Sequence, residues 1–157
     1  MQKITPFLWF DNNAEEAMNF YTSVFKDSKQ VKVSRYPEGA PAPAGSVMVA
    51  EFELEGQRFI ALNGGPQFKF TEAVSFVVNC ETQEEVDYYW SRLTADGGAE
   101  SMCGWLKDKF GLSWQITPAI MYKLYSGDPA SAQRVMQAML QMKKLDIQKL
   151  QDAYDGN

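Results

Sequence analysis

The sequence predicts an α+β fold in which a β-α-β-β-β unit occurs twice, with a helical extension behind it. Three observations lead there. A shift of 69 positions lays residues 4–10, ITPFLWF, on residues 73–79, AVSFVVN, and runs on without a gap into the segment that follows. Helical apolar spacing succeeds the strand in both copies. Residues 103–118, CGWLKDKFGLSWQITP, then read as two short strands, each with a tryptophan, around the charged turn Asp108-Lys109-Phe110-Gly111.

In the first copy, residues 4–10 are the opening strand. Asn13 with Glu16 has the spacing of a capping box, and Ala14, Ala17, Met18, Tyr21, Val24 and Phe25 form one stripe of the helix. Strand-like runs follow at residues 30–36, 47–54 and 57–63, the last two joined by the tight hairpin Glu55-Gly56. In the second copy Thr82 and Glu85 repeat the capping box, and Val86, Tyr89, Trp90 and Leu93 form the helical stripe. Short strands at residues 99–102, 104–107 and 112–117 complete it. In the last of these Leu112, Trp114 and Ile116 share one face and Ser113, Gln115 and Thr117 the other, because successive strand side chains alternate. Trp114 and Ile116 are expected to pack the sheet against its helices, which leaves an amide and hydroxyls on the opposite face.

Residues 36–46, YPEGAPAPAGS, and 63–70, NGGPQFKF, read as loops, and the second would suit a flap over a cavity. Beyond Pro118 the chain turns helical at residues 119–125. Asp128 caps a further helix with Pro129 in its first turn and a stripe of Ala132, Val135, Met136, Met139 and Leu140. A last helix begins after Asp146, turns Ile147, Leu150 and Tyr154 inward and ends at Gly156. The reading is a single domain over residues 1–157, with module one about 1–70, module two about 71–118 and the extension 119–157.

Composition removes several function classes. Apolar residues make up 45% and charged residues 22%, ordinary for a globular chain of 157 residues with a real core. Lys and Arg total only 15 and are scattered, so the electrostatic footprint of a nucleic-acid binder is missing. No apolar run approaches the ~20 residues of a membrane span, and the N-terminal residues show no leader pattern, so the expected location is the cytoplasm. Cys80 and Cys103 form no CxxC pair and read as reduced thiols. Histidine is absent, which removes the commonest general base and transition-metal ligand and every Ser-His or Cys-His pair.

With these segments in hand, the chain resembles the vicinal-oxygen-chelate superfamily of glyoxalase I, bleomycin-resistance proteins and extradiol dioxygenases. Within it the similarity is to the PhnB-like branch, often labelled 3-demethylubiquinone-9 3-methyltransferase domain. The segments that carry it are ITPFLWFDNNAEEAMNFYTSVF, FIALNGGP, VSFVVNCETQEEVDYYWSRL, GWLKDKFGLSWQITP and KKLDIQKLQDAY. The resemblance implies two pseudo-symmetric βαβββ modules forming a curled eight-stranded cup, with the C-terminal helices packed on it, in a homodimer. Metal-using members hold their ion from four strand positions, which align here with Pro6, Ala61, Ser75 and Gln115. Three of these supply no useful donor, and a catalytic divalent ion needs about three protein ligands. No metal site is therefore expected.

Nor is a cofactor. Gly64-Gly65 and Gly97-Gly98 lack the spacing and the following helix of a nucleotide-type phosphate turn, so the residues give the methyltransferase label no support. The leading expectation is a metal-independent small-molecule binder whose pocket, inferred from parity with the four aligned positions, includes Leu8, Phe59, Asn63, Ser75, Val77, Ser113 and Gln115, with Trp105 at its mouth. One alternative is an enzyme without metal, with Cys103 as nucleophile, Asp108 or Glu51 as acid/base and Gln115 as donor to an oxyanion. Others are a resistance protein that sequesters a cationic drug in an acidic groove, for which the net charge of −5 has the right sign, and an interaction module presenting the Met-rich helices.

Overall fold

Strand order in a computed structural model, which describes residues 1–157, repeats as the sequence repeats. The chain divides into two compact units, Met1–Phe70 and Thr71–Asn157. The first contains β1 (Phe7–Phe10), α1 (Ala14–Val24), β2 (Ser28–Arg35), β3 (Val47–Leu54) and β4 (Gln57–Asn63). Its sheet runs β1-β4-β3-β2, with β1 parallel to β4 and the other pairs antiparallel. The β3–β4 turn places both Glu55 and Gly56 at positive φ, 47° and 80°, as a two-residue hairpin with the right twist requires. All six expected residues of the α1 stripe are buried. Tyr21 of α1 lies 6.0 Å, ring to ring, from Phe52 of β3, which stacks on Phe59 of β4 at 5.6 Å.

The start of α1 departs from expectation. Asn13 occupies the cap position but its side chain makes no capping bond. The free amide of Ala14 instead donates to Asn63 Oδ1 at 2.8 Å. A helix leaves its first N–H groups without intrahelical partners, and here a side chain at the end of β4 supplies one acceptor. The same asparagine donates through Nδ2 to the Val47 carbonyl at 3.1 Å, tying β3, β4 and α1 together.

The second unit contains β5 (Ser75–Cys80), α2 (Gln83–Thr94), a 3₁₀ turn at Ala95–Gly97, β6 (Ala99–Glu100), β7 (Trp105–Lys107) and β8 (Ser113–Pro118). Its sheet order, β5-β8-β7-β6, repeats the first, again with the opening strand parallel to the last. Here half of the expected capping box forms, since Thr82 Oγ1 accepts from the Glu85 amide at 3.2 Å, while the Glu85 carboxylate accepts at 2.7 Å from the amide of Glu81, one residue before the cap. Trp90 of α2 donates its indole N–H to Glu100 of β6 at 2.7 Å, fastening the helix to the short edge strand.

The extension forms α3 (Ile120–Tyr125), α4 (Pro129–Met139) and α5 (Ile147–Asp155), which enclose a small core of Met121, Leu124, Val135, Leu145 and Leu150. Asp128 and Asp146 cap α4 and α5, and Gly156 ends α5 in the left-handed conformation. Of the α4 stripe, Val135 is fully buried, whereas Met136 and Leu140 are about half exposed. Two clamps hold the extension to the module-two sheet and helix. The amides of Cys103 and Gly104 donate to the Met142 and Lys143 carbonyls at 2.7 and 2.8 Å. The Gln83 side chain donates to the Leu145 carbonyl at 3.1 Å and accepts from the Ile147 amide at 2.8 Å.

Candidate functional site

One face of β8 packs beneath α2 and the other is left for chemistry. Trp114 and Ile116 are buried, and Phe76 of β5 meets the Trp114 ring at 5.7 Å, so the even-numbered face of β8 is the core face. On the other face strand register lays Ser75 of β5 beside Ser113, and Val77 beside Gln115, with Trp105 of β7 on the far side of Gln115. Gln115 Nε2 donates to Ser75 Oγ at 2.9 Å. A groove of about 270 Å³ runs beside this row, with Ser113, Trp105, Lys107, Glu72 and Glu100 in its lining. The Lys107 ammonium pairs with the Glu72 carboxylate and holds it below the usual carboxylate range. The Ser113 residue is only 1% exposed and its hydroxyl has no hydrogen-bond partner.

Asp108 lies outside that row. It is 2% exposed; its Oδ1 accepts from the Phe110 and Leu112 amides at 2.9 and 3.1 Å, and its Oδ2 from the Trp114 indole at 2.9 Å. The carboxylate closes the β7–β8 turn and anchors the tryptophan of the following strand. Cys103 and Asp108 stand at opposite ends of β7. Cys103 neighbours Tyr125 of α3, whose phenol is raised above its ordinary range by burial first and by that cysteine second. The thiol therefore faces the extension, with no acid or base of the expected set beside it. Glu51, on β3 of the other unit, pairs with Arg58 at 3.3 Å.

The other cysteine, Cys80, is fully buried at the end of β5, and its thiol is pushed up to about 12, by burial first and by Glu85 and Glu81 after it. Thiolates, not thiols, react with alkylating agents. Native protein treated with iodoacetamide at pH 8 is expected to take one label, at Cys103, and two after denaturation. Peptide mass spectrometry that finds Cys80 alkylated in the native state would contradict this placement.

Module one corrects the sequence reading. Of the module-one residues expected to face a pocket, Leu8 and Phe59 lie on the face of α1, whereas Asn63, at the end of that face, also lines the module-one cavity. Phe59 stacks on Phe52 under Tyr21, Asn63 caps α1, and Leu8 lies in register with fully buried Ala61. The cause is a one-residue difference in loop length. Three residues separate β1 from α1 and two separate β5 from α2, so helices superpose at a shift of 69 and strands at 70. A one-residue slip turns every strand side chain to the other face. Exposure agrees: Phe7 and Val77, 70 apart, are 56% and 45% exposed, while Phe10 and Cys80 are both buried. By register, Phe7 pairs with Ile60 as Val77 pairs with Gln115. The module-one counterparts of Ser75 and Gln115 are thus Thr5 and Ile60, not Pro6 and Ala61.

The two loops read from the sequence meet in module one around a cavity of about 690 Å³, lined by Pro41 and Pro43 from one and Gly64 to Gln67 from the other. Asp11 and Glu15 are its only charged lining residues. The second loop is fastened to β1: the Gly65 carbonyl accepts from the Trp9 indole at 2.8 Å, and Phe68 and Phe70 pack edge-on against Trp9 and Phe10. Asp11 follows β1 and Glu15 stands in the first turn of α1, and no local sequence signal ties them to the two distant loops that complete the cavity.

The metal ion used by some superfamily members does not fit these donors. In module two Ser75 and Gln115 offer a hydroxyl and an amide already bonded to each other, and in module one the corresponding Thr5 and Ile60 offer a single hydroxyl. No three Cys, Asp or Glu side chains converge anywhere in the chain, and there is no histidine. The extension and both modules also contain no helix long and apolar enough to cross a membrane.

Comparison with known proteins gives the same lineage. The family model described as 3-demethylubiquinone-9 3-methyltransferase matches residues 2–117. A Bacillus cereus PhnB protein with the same methyltransferase description is 46% identical, covers 75% of this chain and 100% of its own, and superposes with a TM-score of 0.69. A Pseudomonas aeruginosa protein at 20% identity, covering 75% and 98%, gives 0.62. The fosfomycin resistance protein FosX of Listeria monocytogenes, 15% identical and covering 78% and 94%, gives 0.56; these last two share the fold alone. No functionally curated protein matches the chain. The chain belongs to the PhnB-like 3-demethylubiquinone-9 3-methyltransferase family of the vicinal-oxygen-chelate superfamily.

Proposed function

We propose that this protein binds a small organic molecule without a metal ion, on the face of β5, β7 and β8 that carries Ser75, Val77, Trp105, Ser113 and Gln115. The observation that carries the reading is the Ser113 hydroxyl, buried beside a groove with nothing to bond. Leaving a buried hydroxyl unpaired costs on the order of 1–3 kcal/mol, so its partner is expected from outside the chain. Val77 and Trp105 supply apolar surface, and Ser75, Ser113 and Gln115 supply oriented polar groups, the two ingredients of a ligand site. The donor set supports binding without a metal. The reading includes a homodimer, as the resemblance implies, and the cytoplasmic location that the composition suggests.

A second reading, sequestration of a cationic drug, is favoured by one observation: the module-one cavity has two carboxylates and no basic residue in its lining. One experiment addresses both. EDTA-dialysed protein is screened by thermal shift against a metabolite library and a panel of cationic glycopeptides, with and without added divalent ions. Stabilisation by a small metabolite in EDTA, reduced in the Gln115→Ala variant, is the expected result. Stabilisation that requires a divalent ion would overturn the metal-independent reading. Stabilisation by the glycopeptides, abolished by Glu15→Gln, would favour the second.

A further inference from the structure

The four tryptophans of this chain divide three to one. Trp9, Trp90 and Trp114 donate their indole N–H groups to the Gly65 carbonyl, Glu100 and Asp108, at 2.8, 2.7 and 2.9 Å. Trp105 has no such acceptor, is half-buried, and lines the groove beside Ser113. Indole N–H groups near the interior ordinarily find a partner. The buried Ser113 hydroxyl is thus left for a third party, and the Trp105 indole, which no protein group engages and which is open to solvent, is available to the same one. Both can donate. The flat ring of Trp105 adjoins them, and aromatic pairs gain about 0.5–1.5 kcal/mol beyond the area they bury.

Size and charge narrow the class. A groove of about 270 Å³ lies just below the usual range for drug-sized ligands, roughly 300–1,000 Å³, and suits one ring with a short substituent. Of its three charged lining residues, Lys107 and Glu72 neutralise each other, and Glu100 already accepts from the Trp90 indole through Oε1. A carboxylate ligand would have to displace Glu72 from Lys107 with Glu100 close by, and a cationic one would have to compete with Lys107 for Glu72 or with the Trp90 indole for Glu100. A neutral ligand leaves the pair intact.

From this we infer that the groove takes a neutral, single-ring aromatic molecule bearing a carbonyl or amide oxygen, with the ring against Trp105 and the oxygen accepting from Ser113 and the Trp105 indole. The inference rests on the small-molecule reading above and names its ligand class.

Benzamide is the probe, compared with benzoate, benzylamine and toluene, by calorimetry and by the indole N–H resonances of ¹⁵N-labelled protein, with Trp105 assigned through Trp105→Phe. Benzamide is expected to bind more tightly than the other three and to shift the Trp105 resonance while leaving the other indoles in place. Ser113→Ala is expected to weaken it about five- to tenfold, the value of one neutral hydrogen bond. The same substitution removes an unpaired buried hydroxyl, so the ligand-free variant should melt no lower than the parent, and weaker binding then cannot be blamed on misfolding. Equal or tighter binding of benzoate, benzylamine or toluene would overturn the class while leaving the groove a binding site. No binding by any of the four would also overturn the class, and the library screen would then decide the broader reading by itself.

Discussion

Replacing Asp108 with alanine is expected to cost about 3–5 kcal/mol, the largest single loss available in module two outside its apolar core. Two backbone amides and one indole lose their acceptor together, and two of the three bonds are fully buried. Bonds to a charged acceptor contribute ~1.5–3 kcal/mol each and are not additive, so the sum is discounted. For a chain of this length each kcal/mol moves Tm by about 2–4 °C, so thermal unfolding should begin roughly 10–15 °C lower. Asp108→Asn keeps one oxygen for the Phe110 and Leu112 amides but turns an amide donor toward the Trp114 indole, and should fall between parent and alanine. Should Asp108→Ala melt with the parent, the carboxylate would not be structural, and the acid/base role read from the sequence would regain its force.

That result bears on why the stretch at residues 103–118 was so informative and yet misread in part. Alternation along residues 112–117 gave the faces of β8 without ambiguity, since Trp114 and Ile116 are buried and Gln115 reaches Ser75 across the sheet. Helical spacing was equally plain in α1, whose six predicted residues are all buried. Side-chain bonds to the backbone left no such trace. Aspartate in a turn commonly bonds backbone amides, but that Asp108 also takes an indole six residues on depends on the hairpin closing first. The cap of α1 failed for the same reason. Asn63 lies 49 positions from the amide it serves and competes successfully with the adjacent Asn13.

The candidate site was half legible, and the dividing line is physical. In module two the residues lie on paired strands whose alternation fixes their direction, so Ser75, Val77, Ser113 and Gln115 could be placed from one strand to the next. In module one they were placed by internal repeat, across a loop one residue longer. Apolar identity does not detect such a slip, because Phe7, Leu8, Trp9 and Phe10 are all apolar and either parity looks sound. Burial detects it at once, with Phe7 exposed and its neighbour Leu8 covered.

The extension, which lies beyond the matched family model, offers the second large effect. Gly104 sits at φ +83°, and a Cβ there would stand 3.0 Å from the Ile116 carbonyl oxygen and 3.0 and 3.1 Å from two Leu145 side-chain carbons. A left-handed conformation costs an ordinary residue roughly 1–2 kcal/mol, and crowding a packed contact adds a similar amount. Gly104→Ala should therefore lose about 3 kcal/mol and lower Tm by roughly 6–12 °C. Gly111→Ala is the control, because its φ is +88° while a Cβ there would meet nothing within 4 Å. The difference between the two variants isolates the contact with Leu145 and Ile116 from the backbone cost. Because the Cys103 and Gly104 amides bond the segment that precedes Leu145, the damage should also be local. Amide hydrogen exchange at residues 103–104 and across α4 and α5 should rise in Gly104→Ala and not in Gly111→Ala, with α1 unchanged in both. Equal losses in the two variants, with exchange unaltered in the extension, would mean that the Cys103–Gly104 clamp does not hold the extension to the sheet. Selective loosening would show that the glycine before Trp105 ties the groove-lining strand to the C-terminal helices.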